Sequence, residues 1–298
     1  MKQTFLERLA AGTVLVSDGA TGTNLQDRGL SFGKAPEEWL FENPAGIVQL
    51  HHDFIAAGAN ILLTCTFGAT PLRLEHVGLR ARTAEVNARA VALAREAIGM
   101  ADVLVAGSLG PTGQLLEPLG PLTEAEAVSA YAEQARALAE AGADLLVIET
   151  QFDMGEARSA IKGARSTTTL PLVCSFSYDM GSRTMMGLQP DKVAAELTEL
   201  GVDVVGVNCG KSLEDNLANL KLVRAATALP VWMKPNAGLP TMGAGDHAHY
   251  DVTPADMGQA ATEWLAAGAN IIGGCCGTSP AHLAEISRAV LSLQPASV

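Results

Sequence analysis

Ala56-Ala57-Gly58-Ala59-Asn60 and Ala266-Ala267-Gly268-Ala269-Asn270 are one phrase written twice, and each runs straight into an aliphatic stretch. Ala141-Gly142-Ala143-Asp144 and Gly201-Val202-Asp203 are near copies ahead of two further stretches. In each, glycine can end a helix in a left-handed conformation, after which the chain enters a strand. The repeating unit is helix, glycine stop, strand. Aliphatic runs rich in Val, Ile and Leu recur at 14–17, 61–66, 103–108, 145–149, 172–177, 204–208, 231–234 and 271–274. Their apolar character is continuous rather than alternating, which predicts strands buried on both faces of a parallel sheet. Helical stretches at 124–141, 191–200 and 253–267 lie between them, and Thr123 with Glu126 has the spacing of a capping box. Eight such units predict one α/β domain over 1–298, a (β/α)8 TIM barrel.

A doubly wound open sheet would call for a Gly-x-Gly-x-x-Gly turn after the first strand. Asp18-Gly19-Ala20-Thr21-Gly22-Thr23 lacks that spacing. Residues 238–253, with three glycines and two histidines, read as a long mobile loop.

Hydrophobic residues make up 48% of the 298 and aromatics only 4%, so the core must be aliphatic. A net charge of -12 argues against nucleic acid, which would leave a basic footprint. No apolar run reaches the roughly 18–20 residues of a membrane span. The first residues carry charges at helical spacing rather than a secretory leader, so a cytoplasmic location is expected.

Five cysteines, an odd number, argue against a disulfide framework. Cys65 and Cys174 lie inside apolar runs and read as core. Cys209 in Val207-Asn208-Cys209-Gly210 and the pair in Gly273-Gly274-Cys275-Cys276-Gly277-Thr278 instead follow predicted strands among glycines. Three thiolates with a fourth position open are the coordination of a catalytic zinc. A substrate thiol is a soft ligand for that position, and coordination deprotonates it into a nucleophile able to attack an electrophilic methyl group.

Barrel enzymes place their chemistry at the carboxyl ends of strands. Those ends here are Asp18, Thr66, Ser108, Glu149, Asn208 with Cys209, Asn236, and Cys275 with Cys276. Asp18 and Glu149 read either as capping or ion-pair groups or as a seat for the ammonium of an amino acid. Asn208 and Asn236 read either as loop-fixing amides or as substrate contacts. His51, His52, His76 and His282 read as solvent-facing helix residues, and His247 and His249 as a weak pair in the loop. Gly19, Gly22, Gly273 and Gly274 admit a competing reading as a phosphate cradle in a metal-free barrel lyase or isomerase.

Asp18 through Thr23, Glu149-Thr150, Asn208-Cys209-Gly210, Pro235-Asn236-Ala237-Gly238 and Gly273 through Thr278 together resemble the zinc-dependent homocysteine S-methyltransferase family. That family includes the homocysteine-binding module of cobalamin-dependent methionine synthase, betaine–homocysteine methyltransferase and the S-methylmethionine-using enzymes. The resemblance implies a (β/α)8 barrel, Zn2+ on Cys209, Cys275 and Cys276, and Asp18 and Glu149 on the amino group of homocysteine, with Asn208 and Asn236 around the site. Pro235 through Pro240 is closest to the methionine synthase branch, which implies a free-standing module served by a corrinoid methyl-carrier protein. The other branches imply a small onium donor: betaine, dimethylsulfoniopropionate or S-methylmethionine. An aromatic box for such a donor would draw on Tyr178 or Trp232. A non-catalytic homocysteine-binding protein is the alternative of a different class.

Overall fold

Thr123 caps the helix Glu124–Glu140 as its spacing predicts, its hydroxyl accepting from the Glu126 N–H while the Glu126 carboxylate accepts from the Thr123 N–H. The computed structural model describes residues 3–242 and 248–293. Within them are eight barrel strands: β1 (Leu15–Val16), β2 (Ile61–Leu63), β3 (Leu104–Leu109), β4 (Leu145–Gln151), β5 (Leu172–Phe176), β6 (Val204–Cys209), β7 (Val231–Pro235) and β8 (Ile271–Ile272). All pair in parallel in sequence order from β2 to β8, and β8 returns to β1. A bridge between Ser17 and Ile61 closes the ring. The predicted barrel is the observed one.

The repeated phrase has a structural job. Gly58, Gly142, Gly201 and Gly268 all take positive φ, between 75° and 103°. The polar residue that ends each phrase then reaches back to the preceding strand. Asn60 Oδ1 accepts the Val16 N–H at 3.0 Å and Asn270 Oδ1 accepts that of Val231 at 2.9 Å. Asp144 Oδ2 takes the Val105 N–H at 2.6 Å and Asp203 Oδ2 that of Leu172 at 2.8 Å. Each even-numbered strand is thus tied to the odd one before it at the amino end of the barrel.

Side chains alternate in and out along every strand. The inward set is Leu15, Ile61, Leu63, Leu104, Ala106, Leu145, Val147, Val173, Val204, Trp232 and Ile271, with Phe5 of the first helix packed into the same cluster. The outward set, among it Leu62, Val105, Leu146, Ile148, Val205, Val207 and Ile272, packs under the helices. Each such fully buried aliphatic side chain contributes about 1.5–3 kcal/mol. Trp232 fits inside the barrel because its neighbour across the strands is Gly206, where a Cβ would lie 3.2 Å from the Trp232 Cβ and 2.5 Å from that of Ser175. Two residues further along each strand, the same parity turns Ser108, Glu149, Asn208 and Lys234 inward. A polar layer therefore sits directly on an aliphatic plug.

Residues 238–253, expected as one long loop, carry a short antiparallel pair, Thr241–Met242 with Ala248–His249. His247 lies outside the described residues. Among the described residues no helix is long and apolar enough to cross a membrane.

Candidate functional site

Cys209 ends β6 with φ at +58°, a left-handed conformation that costs a non-glycine residue about 1–2 kcal/mol. Its carbonyl is held there from two sides, by the Asn236 N–H at 3.1 Å and the Asn216 amide at 2.9 Å. Thr150, at the end of β4, is left-handed too, an outlier for a β-branched residue. Asn208 clamps both strained residues. Its Oδ1 accepts from the Thr150 N–H at 2.9 Å and from Ser175 Oγ at 2.6 Å, and its Nδ2 donates to Thr150 Oγ1 at 2.7 Å and to Cys209 Sγ at 3.5 Å.

The loop after β8 is laced to both neighbours. Cys275 N–H donates to the Pro235 carbonyl at 2.7 Å, Gly274 N–H to the Asp18 carbonyl at 3.1 Å, and Cys276 N–H to Asn236 Oδ1 at 3.0 Å. Asn236 Nδ2 meanwhile donates to the Gly210 carbonyl at 3.0 Å, so one amide joins the two cysteine loops. Of the two roles read for the asparagines, these are the hydrogen bonds of loop-fixing amides.

The glycines here serve close approach. A Cβ on Gly273 would lie 2.1 Å from Ser17 Oγ, on Gly274 2.1 Å from Thr278 Cγ2, and on Gly19 2.6 Å from the Thr278 carbonyl oxygen. Protein atoms already fill the space that a phosphate cradle would leave open at those three positions.

These loops bring the three predicted sulfurs together. Cys209 Sγ and Cys275 Sγ are 3.2 Å apart, and all three sulfurs lie within 4.8 Å of one another. Three sulfurs so placed fit one small ion with metal–sulfur bonds of about 2.3 Å. Hydrogen bonds from Cys209 and Cys275 hold the Cys276 thiol well below its ordinary range. The same sharing pushes Cys209 up. Cys65 and Cys174 lie in the apolar core away from this cluster, and burial pushes both thiols up.

At the same end of the barrel are two buried carboxylates. Glu149, on β4, accepts from Ser108 Oγ at 2.5 Å. Asp18, just past β1, accepts the Leu63 N–H on Oδ2 at 2.8 Å. Burial raises both carboxyls, Asp18 to about 6. Beside Asp18 stands a cation that strand-end reasoning missed. Lys234 Nζ is 3.3 Å from Asp18 Oδ1 and donates to the Gly19 carbonyl at 3.1 Å. Its signal in the sequence was a charge two residues after Trp232, on the inward parity of an otherwise aliphatic run. Tyr250 was also missed. Its ring lies over Gly277, where a Cβ would come within 2.2 Å of the ring.

The histidine expectation needs correction. His52, His76 and His249 are exposed, but His51 and His282 are buried. His51 lies on the inner face of the helix Pro44–Ala56, and burial lowers its ring to about 4. His282 joins Ser279 Oγ at 2.8 Å to the Val252 carbonyl at 2.9 Å. Tyr178 and Trp232 are fully buried and offer no face to a cationic donor.

Comparison with known proteins agrees with this geometry. Residues 15–290 match the family model described as homocysteine S-methyltransferase. The methionine synthase of Mycobacterium tuberculosis is 30% identical over 94% of this chain, and that of Mycobacterium leprae is 31% identical over 96%. The chain spans about a quarter of the length of these curated relatives, 25% of each. The metallated form of the homocysteine methyltransferase MmuM from Escherichia coli superposes with a TM-score of 0.81 at 28% identity, covering 95% of this chain and 99% of that one. The chain belongs to the homocysteine S-methyltransferase family.

Proposed function

We propose that the protein transfers a methyl group to the sulfur of L-homocysteine, giving L-methionine, with zinc as its metal and a methyl-corrinoid carrier protein as donor in trans. The observation that carries this reading is a three-sulfur cluster and two buried carboxylates gathered at one barrel mouth. Three soft sulfur ligands with no hard oxygen among them select zinc over magnesium or calcium. Cys209, Cys275 and Cys276 would hold the ion, which, when bound, supplies a Lewis acid that lowers the proton affinity of a substrate thiol.

The chain's own residues do the rest. Asp18 and Glu149 receive the α-ammonium of homocysteine and so aim its side chain at the sulfur cluster. Asn208 and Asn236 act on the substrate through the cysteine loops they fix. Transfer then needs an in-line approach. An electron pair of the homocysteine sulfur forms the new S–C bond, the bond from methyl to donor breaks with its pair leaving on the donor, and the thiol proton goes to solvent. The apolar rim supports a large donor. Phe32, Phe67, Leu119, Met180, Met185 and Leu239 are exposed, and all lie on segments that follow barrel strands, the end that carries the cysteines. Apolar side chains exposed at that end offer contacts to a large donor. The burial of Tyr178 and Trp232 weighs against an onium donor.

The test is methionine formation by zinc-loaded protein with betaine, dimethylsulfoniopropionate, S-methylmethionine, free methylcobalamin and a methylated corrinoid protein. Turnover with the corrinoid donors alone is expected. Turnover with one onium compound would replace the donor, and homocysteine binding without turnover on any of them would favour a binding protein.

A further inference from the structure

Lys234 is a buried charged group at the barrel mouth that the transfer just described does not use. It belongs to β7, is 3% exposed, and shares the inward parity of Trp232. Its Nζ reaches two parts of one turn, the Asp18 carboxylate at 3.3 Å and the Gly19 carbonyl at 3.1 Å. Glu149 and Cys275 also act on it electrostatically. Burial pulls its proton affinity down, while Asp18 first and Glu149 next push it up, and the net direction is upward. The pair is not explained as scaffold, because a buried ion pair is often no more stable than apolar side chains of similar volume. Asp18 Oδ1 is fully buried, and the Lys234 ammonium at 3.3 Å is its neighbour. A carboxylate oxygen accepts more than one donor, so Oδ1 has a position for an N–H from a ligand.

We propose that Lys234 is a positioning residue for amino-acid recognition, pinning the Asp18–Gly19 turn to β7 so that Asp18 and Glu149 form a fixed seat for the substrate ammonium. The inference rests on the homocysteine reading above and adds the residue that sets selectivity for an amino-acid thiol over a plain one. Without Lys234, two buried carboxylates share the barrel mouth with no cation beside Asp18, and the turn loses its tie to β7.

The experiment uses cobalt-loaded protein, whose thiolate-to-metal charge-transfer absorption reports binding of a further sulfur. Wild type, Lys234→Met and Lys234→Arg are titrated with homocysteine and with 4-mercaptobutanoate, the same chain without its amino group. Lys234→Met is expected to weaken homocysteine about 30-fold and to leave 4-mercaptobutanoate within about twofold, with Lys234→Arg recovering part of the preference. A wild-type preference in Lys234→Met, or equal weakening of both thiols, overturns the proposal. Should Lys234→Met fail to fold, Lys234→Gln, uncharged and one atom shorter, removes the ion pair and draws the donor back from Gly19, and a retained preference there overturns it equally. A wild-type protein whose spectrum ignores homocysteine would instead overturn the functional reading, and this inference with it.

Discussion

Cys209, Cys275 and Cys276 sit in loops laced by backbone and amide hydrogen bonds, whereas Asp18, Glu149 and Lys234, at the same barrel mouth, are held by opposing charges. The sulfur wall is fixed by geometry. Left-handed backbone at Cys209, glycines packed against Ser17 and Thr278, and two asparagine clamps leave it little freedom. The carboxylate wall is fixed by balance, since two buried acids and one buried base each depend on the others. One wall is thus suited to hold a metal whatever the substrate, and the other to choose the substrate whatever the metal. If that division is right, substitutions on the two walls should separate cleanly.

The largest separation is expected from Cys276→Ser. It should lose bound metal and lower methyl transfer by about a thousandfold or more, since one of three ligands is gone. Metal analysis after dialysis and a turnover assay check both. Glu149→Gln should do the reverse, raising KM for homocysteine about a hundredfold while metal content stays at the wild-type value. Loss of metal in Glu149→Gln would break the division outright. Asn236→Ala removes the amide that joins the two cysteine loops, and should weaken metal affinity about 10- to 100-fold in competition with a chelator.

The smallest effect is one of pH. The Asp18 carboxyl, raised to about 6 by burial, holds its proton below that value and loses the charge that faces an ammonium. Preference for homocysteine over 4-mercaptobutanoate should therefore fall as pH drops through 6, by up to about tenfold per unit, and level off above it. Using the ratio of the two thiols removes the proton competition at the sulfurs, which both share. A ratio that stays constant from pH 5 to 7 would exclude Asp18 from the seat.

The barrel was legible because its punctuation is local. A glycine that must take positive φ and an Asn or Asp that must reach the preceding strand recur before β2, β4, β6 and β8, so the chain repeats itself where the physics does. The sulfur wall was legible for a similar reason, because Gly-Gly-Cys-Cys-Gly-Thr is costly to place anywhere but a tight loop. Lys234 was not, since a lysine closing an aliphatic run reads as a strand end until the parity of the barrel interior is known. His51 escaped for the opposite reason. Its helix exposes His52 beside it, and only packing decides which of the two neighbours turns inward. Asn208 was found, but its role lay in four hydrogen bonds to Thr150, Ser175 and Cys209 that no local pattern announces.

X-ray absorption at the zinc edge, on zinc-loaded protein with and without homocysteine, addresses the joining of the two walls most directly. Three sulfur neighbours at about 2.3 Å in the free protein, rising to four when homocysteine is added, is the predicted result. A sulfur count that homocysteine leaves unchanged, in protein that holds one zinc per chain, would contradict it.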